Sequence, residues 1–134
     1  PAGVYRPTLI IDNKLYVSGQ GPVLPNSSLI KGKVGYNLDK EEGKKAALQV
    51  GLTMLSTILN HSPSDLVIKR VIKVLGMVNS TPEFEYHPFV INGFSELMSE
   101  VFGVENGIGV RSAVGMNLPN NIAVEIEAIF LIDN

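Results

Sequence analysis

The sequence has no cysteine and no tryptophan. Without thiols there is no disulfide framework, no thiolate metal site and no cysteine nucleophile. Histidine is scarce as well. His61 and His87 are the whole supply, and neither stands at a metal-ligand spacing from another His, Asp or Glu, so no metal is expected. His61 follows a helix-like run and His87 adjoins Pro88, positions that suit surface or capping roles. No apolar run approaches the roughly 20 residues of a membrane span, and nothing resembles a signal peptide. The expected compartment is therefore cytoplasmic, with a removed organelle-targeting segment left open by the start at Pro1. Positive charge is also thin: 11 Lys and Arg against 13 Asp and Glu give a net charge of −2. The basic residues are scattered, so there is no footprint for a phosphate backbone and no nucleic-acid partner is expected.

The shortage of cations is sharpest in the second half. From Val74 onward Arg111 is the sole Lys or Arg, while Glu83, Glu85, Glu96, Glu100, Glu105, Glu125, Glu127 and Asp133 carry negative charge. What the chain does have is apolar surface. Hydrophobic residues make up 45% and charged residues 18% of 134, which is apolar for one domain spanning residues 1–134. A homo-oligomer that hides apolar faces between subunits would account for it.

Periodicity orders the elements. "TLIID" and "KLYVSG" flank the turn dipeptide Asp12-Asn13 and read as a hairpin from Thr8 to Ser18. "GQGPVLPNSS" is a loop with a short strand at most. Asp39 is a plausible N-cap, with Glu41 and Glu42 in the first helical turn, and Ala47, Gly51, Met54 and Ile58 recur at helical spacing. Leu48, Leu52, Leu55 and Leu59 form an adjacent row, so a broad stripe is expected to pack on a sheet. "LVIKRVIKVLGMVN" is a long β-branched strand in which Lys69, Arg70 and Lys73 mark solvated or edge positions. A second helix runs from about Pro88 to Phe102, buries Val90, Phe94, Leu97, Met98 and Val101, and stops at Gly103. Two last strands, near Val110 to Met116 and Ile122 to Ile132, are joined by "NLPNN". The order ββ(β)αβαββ predicts an α+β sandwich with two helices on one face of a mostly antiparallel or mixed sheet. Along the final strand Val124, Ile126, Ala128 and Phe130 alternate with Glu125, Glu127, Ile129 and Leu131, so the second face is apolar toward its end and suits a subunit interface.

Arg111 opens one of those last strands and Glu125 and Glu127 sit in the next. As a hairpin they would form a cross-strand ion pair. The alternative is that Arg111 holds the carboxylate of a ligand through two parallel hydrogen bonds, with a nearby glutamate positioning or deprotonating a water. "SGQGP" at Ser18 to Pro22 offers backbone N–H groups where glycine permits close approach, though alone it is an ordinary turn. Asn92, between apolar residues of the second helix, needs either a buried hydrogen bond or a place in a site.

Together these pieces resemble the RidA/YjgF family, also called reactive intermediate deaminases or L-PSP endoribonuclease-like proteins. The resemblance is carried by "GVYRP", "DNKLYVSGQGPV", "INGFSELM" and "RSAVGMNLPNNIAVEIEAI", nearly the whole chain, and points to a divergent branch. It implies a chorismate-mutase-like fold with a six-stranded sheet, a homotrimer, and ligand clefts between subunits. By the same resemblance Arg111 clamps the carboxylate of a 2-imino acid and Glu125 positions the water that attacks the imine carbon. Tyr5, Ser18, Gly19 and Asn92 match cleft-lining residues. The implied activity is hydrolysis of enamine/imine intermediates to 2-oxo acids and ammonia, with no cofactor. Alternatives are a non-catalytic trimer that binds small carboxylates and, less favoured by the charge, an endoribonuclease that inhibits translation. The run from Arg111 to Leu118 is one residue shorter than in the best-studied members, and Ala113 stands where cysteine is often found.

Overall fold

A computed structural model describes residues 3–133. Strands β1 (Thr8–Ile11) and β2 (Lys14–Gln20) form the expected antiparallel hairpin. Its turn places Asp12 at φ 54°, a left-handed conformation that Asp tolerates better than most residues. Helix α1 (Lys40–His61) begins at a complete capping box: Asp39 accepts from the Glu42 amide at 2.7 Å and the Glu42 carboxylate accepts from the Asp39 amide at 3.0 Å. Strand β3 (Val67–Asn79) leads to helix α2 (His87–Phe102), which carries Pro88 in its first turn and ends at Gly103 with φ 86°. A four-residue helix α3 (Val104–Gly107) precedes β4 (Val110–Met116), and a 3-10 turn at Pro119–Asn121 precedes β5 (Val124–Asp133).

The strands form one five-stranded sheet in the order β1-β2-β5-β3-β4. All neighbours are antiparallel except β3 and β4, which run parallel with α2 as their crossover. The expected sixth strand is reduced to an isolated bridge between Val23 and Leu29, because prolines and glycines on either side deny it a longer ladder. The larger correction concerns the last two strands. β4 and β5 are not a hairpin: β5 inserts between β2 and β3, and β3 separates it from β4. β3 is accordingly an interior strand. Its Arg70 is not simply solvated but donates to the carbonyls of Glu105 and Ile108 at 3.1 and 3.2 Å, fastening the α3 segment to the sheet.

Both long helices cover one sheet face. Phe94, Ile91 and Met98 of α2, Met54 of α1, and Leu15, Ile126 and Phe130 of the sheet are fully buried there. Each such side chain contributes about 1.5–3 kcal/mol by leaving water. The two helices touch at Gly93, where an added Cβ would strike the Lys44 carbonyl oxygen. The expected α1 stripe is narrower than the leucine count suggests. Ala47, Gly51, Met54 and Ile58 are buried, whereas Leu48, Leu52 and Leu59 are exposed, since one helix can turn only one face to the sheet. Val101 of α2 is likewise half-exposed. On the other sheet face Leu9, Tyr16 and Ile129 lie in one cross-strand row, and Met77, Glu125 and Val114 in another. Among the described residues no helix covers this second face, and Leu9, Tyr16 and Val114 are exposed on it. Among the described residues no helix is long and apolar enough to cross a membrane.

Candidate functional site

Between β2 and β5 the register jumps from Val17 opposite Ala128 to Gln20 opposite Ile126, which leaves one extra residue on β2. Such a bulge bends the strand and re-aims its side chains. It falls on Ser18 and Gly19, the centre of "SGQGP". Ser18 Oγ donates to the Arg6 carbonyl at 2.5 Å and its amide to the Pro7 carbonyl at 2.9 Å, so the bulge ties down the backbone at Arg6 and Pro7, just after Tyr5. Gln20 is fixed in turn, donating to the Ser18 carbonyl at 3.0 Å and accepting from Thr57 of α1 at 2.8 Å.

Glu125 lies beside this bulge. A Cβ at Gly19 would collide with its carboxylate oxygen and come within 3.0 Å of the carboxylate carbon, so the absence of a side chain at Gly19 makes the seat for Glu125. The carboxylate makes no hydrogen bond or ion pair with another described residue. Burial, and then the nearby charge of Glu127, push its pKa above the ordinary glutamate value. Tyr5, Ser18, Gly19, Glu125 and Glu127 line a cleft of about 850 Å³. A smaller cleft of about 400 Å³ shares Tyr5, Gly19, Pro119 and Glu125 with it and runs on toward Thr53 and Thr57. Glu125 thus stands on the partition between two connected spaces.

Arg111 is elsewhere. It lies on β4 opposite Val74 of β3, whereas Glu125 lies on β5 opposite Met77 of β3. Two strand spacings and three residues of register put their Cα atoms roughly 14 Å apart. They also face opposite ways. Arg111 turns toward α2, where Nη1 donates to Ser95 Oγ at 3.1 Å and Nη2 to the Pro88 carbonyl at 3.2 Å. Glu125 turns to the face without helices. The cross-strand ion pair expected of a hairpin is therefore absent, for the topological reason that β3 lies between the two strands.

Both partners of the Arg111 guanidinium are neutral oxygens, and the ion pair found among the described residues, Lys44 with Glu96 at 3.1 Å, does not involve it. Partial burial lowers its pKa from an arginine's ordinary high value without threatening its charge. It lines a groove of about 630 Å³ with Asn92, Ser95, Ser99 and Glu100. The Asn92 amide is part-exposed in that groove and bonds to no other described side chain or backbone group, which disposes of a buried structural hydrogen bond as its reason.

The structure thus divides the sequence-derived residues into two groups: Tyr5, Ser18, Gly19 and Glu125 in one place, Arg111 and Asn92 in another. Sequence reasoning missed Ser95, although its spacing of three from Asn92 on α2 puts both on one helix face. It also missed Pro119, which carries the loop onto the Glu125 clefts, and the bond between His87 and Ser80. Among the described residues no cluster of His, Cys, Asp and Glu is arranged to hold a metal ion.

No family model matches the sequence. Individual proteins do. Protein TCP17 of Trypanosoma cruzi is 37% identical over 136 residues, spanning 100% of this chain and 84% of that protein. The crystal structure of Atu1372 from Agrobacterium tumefaciens, a protein of unknown function, matches with 42% identity and a TM-score of 0.88 over 98% of this chain and 85% of its own. A candidate endoribonuclease from Shewanella oneidensis MR-1 matches with 26% identity and the same TM-score of 0.88, over 98% of this chain and 87% of its own. With the motif runs at Tyr5, Ser18 and Arg111 and the five-stranded α+β fold already in place, these likenesses make the chain a member of the RidA/YjgF family.

Proposed function

We propose that the protein is a deaminase that hydrolyses 2-imino acids to 2-oxo acids and ammonia, in a cleft assembled from two copies of the chain. The observation that carries this reading is an arginine with no acidic partner among the described residues, positioned by neutral oxygens beside an asparagine amide that bonds to no other described residue. A guanidinium so prepared suits a carboxylate, which it can grip through the N–H groups that Ser95 and Pro88 do not use. The complementary group is Glu125, whose pKa is raised above the ordinary glutamate value by burial and then by the charge of Glu127. Such a carboxyl group can take a proton from water as the water oxygen bonds to the imine carbon, and return one to the nitrogen as the carbon–nitrogen bond breaks. The reaction consumes water and yields ammonia and the oxo acid, so it requires no cofactor. Its catalytic demand is orientation, which a carboxylate clamp and a held water supply.

Arg111 and Glu125 of one chain sit on opposite faces of the sheet and cannot grip one small molecule. A cleft in which Arg111 comes from one subunit and Glu125 from its neighbour resolves this, and a closed ring of copies gives every subunit both roles. The apolar sheet face without helices supports such an assembly, and three copies is the number the family resemblance implies. A trimer of this kind that only binds small carboxylates is the competing reading, since the same arginine would serve it. The low count of basic residues disfavours RNA as substrate.

The test is ammonia release from imines generated in situ by an amino-acid oxidase, with two variants made separately and then refolded together. Arg111→Ala and Glu125→Gln should each be inactive. A randomly mixed ring should regain about one quarter of the wild-type rate, because that share of interfaces pairs an intact arginine with an intact glutamate. No recovery on mixing would sink the shared cleft. Saturable carboxylate binding without turnover of any imine would favour the binding protein.

A further inference from the structure

At the carboxyl end of β3 lies a separate groove of about 400 Å³ that has no lining residue in common with the Arg111 groove or the Glu125 clefts. Its polar lining is made of donors: Lys33, Ser80, Thr81, His87 and Asn117. Although the chain as a whole is acidic, no Asp or Glu lines it; Glu83 and Glu85 belong to the adjoining turn but not to the wall.

The donors are arranged. Ser80, only 8% exposed, has its Oγ 3.1 Å from His87 Nε2. When that nitrogen carries the proton, it donates to Ser80 and frees the hydroxyl hydrogen to point into the groove, which is the arrangement an anion would select. β4 crosses this pair at Gly115, where a Cβ would lie 2.5 Å from His87 Nε2 and 2.6 Å from Ser80 Oγ, so any other residue would displace it. Across the groove Lys33 Nζ donates to Asn117 Oδ1 at 2.8 Å, which anchors the ammonium and leaves its other N–H groups available. Neither the Asn117 amide nitrogen nor the Thr81 hydroxyl donates to another described residue. One wall is apolar: Phe84 stands edge-on to the His87 ring at 5.2 Å, and Met116 is exposed nearby.

We propose that this groove is a binding site for a small oxyanion, a phosphate or carboxylate, borne on a compact apolar group that packs against Phe84 and Met116. Lys33 supplies the charge and Ser80, set by His87, a directed hydrogen bond. The site is independent of the Arg111 clamp.

The test is calorimetric titration of the full chain carrying Arg111→Ala, in which the proposed carboxylate clamp cannot contribute, with phenyl phosphate, benzoate and inorganic phosphate at constant ionic strength in chloride. Saturable binding of phenyl phosphate or benzoate is expected below about 10 mM, and whichever of the two binds tighter identifies the oxyanion. Added to Arg111→Ala, Lys33→Ala and Ser80→Ala should each weaken it about tenfold or more. Lys33→Gln, which can still bond to Asn117, should weaken it as Lys33→Ala does, separating lost charge from a disturbed loop. Absence of saturation, or saturable binding that survives Lys33→Ala in this background, would each overturn the site. Neither result touches the deaminase reading, which rests on Arg111, Asn92 and Glu125.

Discussion

The Arg111 half and the Glu125 half of the proposed cleft are built on different principles. Arg111 is held by bonds: two neutral acceptors on α2 fix the plane of its guanidinium and leave its charge unmatched. Glu125 is held by room: a strand bulge and a missing side chain at Gly19 make space for a carboxylate that no described residue bonds to. The chain thus carries two charges of opposite sign that it declines to neutralise with each other, on opposite faces of one sheet. An enzyme whose halves meet only between subunits needs this, because a chain that paired them internally would have nothing left for a substrate.

The comparison is broken most completely at the bonded half. Arg111→Ala should abolish imine hydrolysis, a loss of about 10²-fold or more in kcat/KM, since the whole carboxylate grip goes with it. Arg111→Lys should recover little, because an ammonium cannot reproduce a planar two-point contact. Steady-state kinetics decide this, and a lysine variant with near-wild-type kcat/KM would show that charge alone suffices.

The half held by room is best probed at Gly19. Gly19→Ala puts a methyl group where the Glu125 carboxylate now lies. The obstacle is the end of a flexible side chain, so Glu125 should swing away while the fold survives. Activity should fall about tenfold, equivalent to roughly 1.4 kcal/mol of misplaced catalysis, with an unchanged melting temperature and unchanged carboxylate binding at Arg111. A large drop in melting temperature would mean that Gly19 is structural.

Gly93→Ala acts on the support of the first half instead. Its methyl group meets the backbone carbonyl of Lys44, which cannot step aside without moving α1 relative to α2. A cost of about 1–3 kcal/mol in unfolding free energy is expected, read from urea titration. Because α2 carries Ser95, Pro88 and Asn92, KM should rise more than kcat falls. Equal changes in both would mean that the helix pair does not set the clamp.

How far these halves were legible in the sequence follows from the range of the forces involved. The Asp39–Glu42 capping box, the Asp12 turn and the Gly103 stop are local events decided by neighbours in the chain, and they read directly. So did the alternation along Val124 to Phe130, because a strand's two faces declare themselves every second residue. The insertion of β5 between β2 and β3 did not. "NLPNN" has the composition of a tight hairpin connection, and nothing local says that the strand after it will pass over β3. That error produced the expected Arg111 to Glu125 ion pair. The leucines of α1 misled for a related reason: their spacing fixes which residues share a row, not which row the sheet will take. The residues of the candidate site were found through motif resemblance, and their separation into two groups through topology.

The smallest expected effect tests whether Glu125 is held for chemistry at some cost to the fold. A carboxyl group whose pKa is higher in the folded chain than in the unfolded one binds protons more tightly when folded, so its contribution to stability is best at low pH and declines as pH rises from the unfolded value through the folded one. Glu125→Gln removes that decline. At neutral pH the variant should be more stable than wild type, by less than about 1 kcal/mol because the site is part-exposed and solvent screens it. Below the ordinary glutamate pKa, where the wild-type carboxyl is protonated in both states, the two should converge. Gly93→Ala, which acts through packing, should keep its deficit at every pH. Thermal unfolding across pH 3–8 distinguishes these patterns, and a Glu125→Gln variant less stable than wild type at neutral pH would show that the ionised carboxylate stabilises the fold after all.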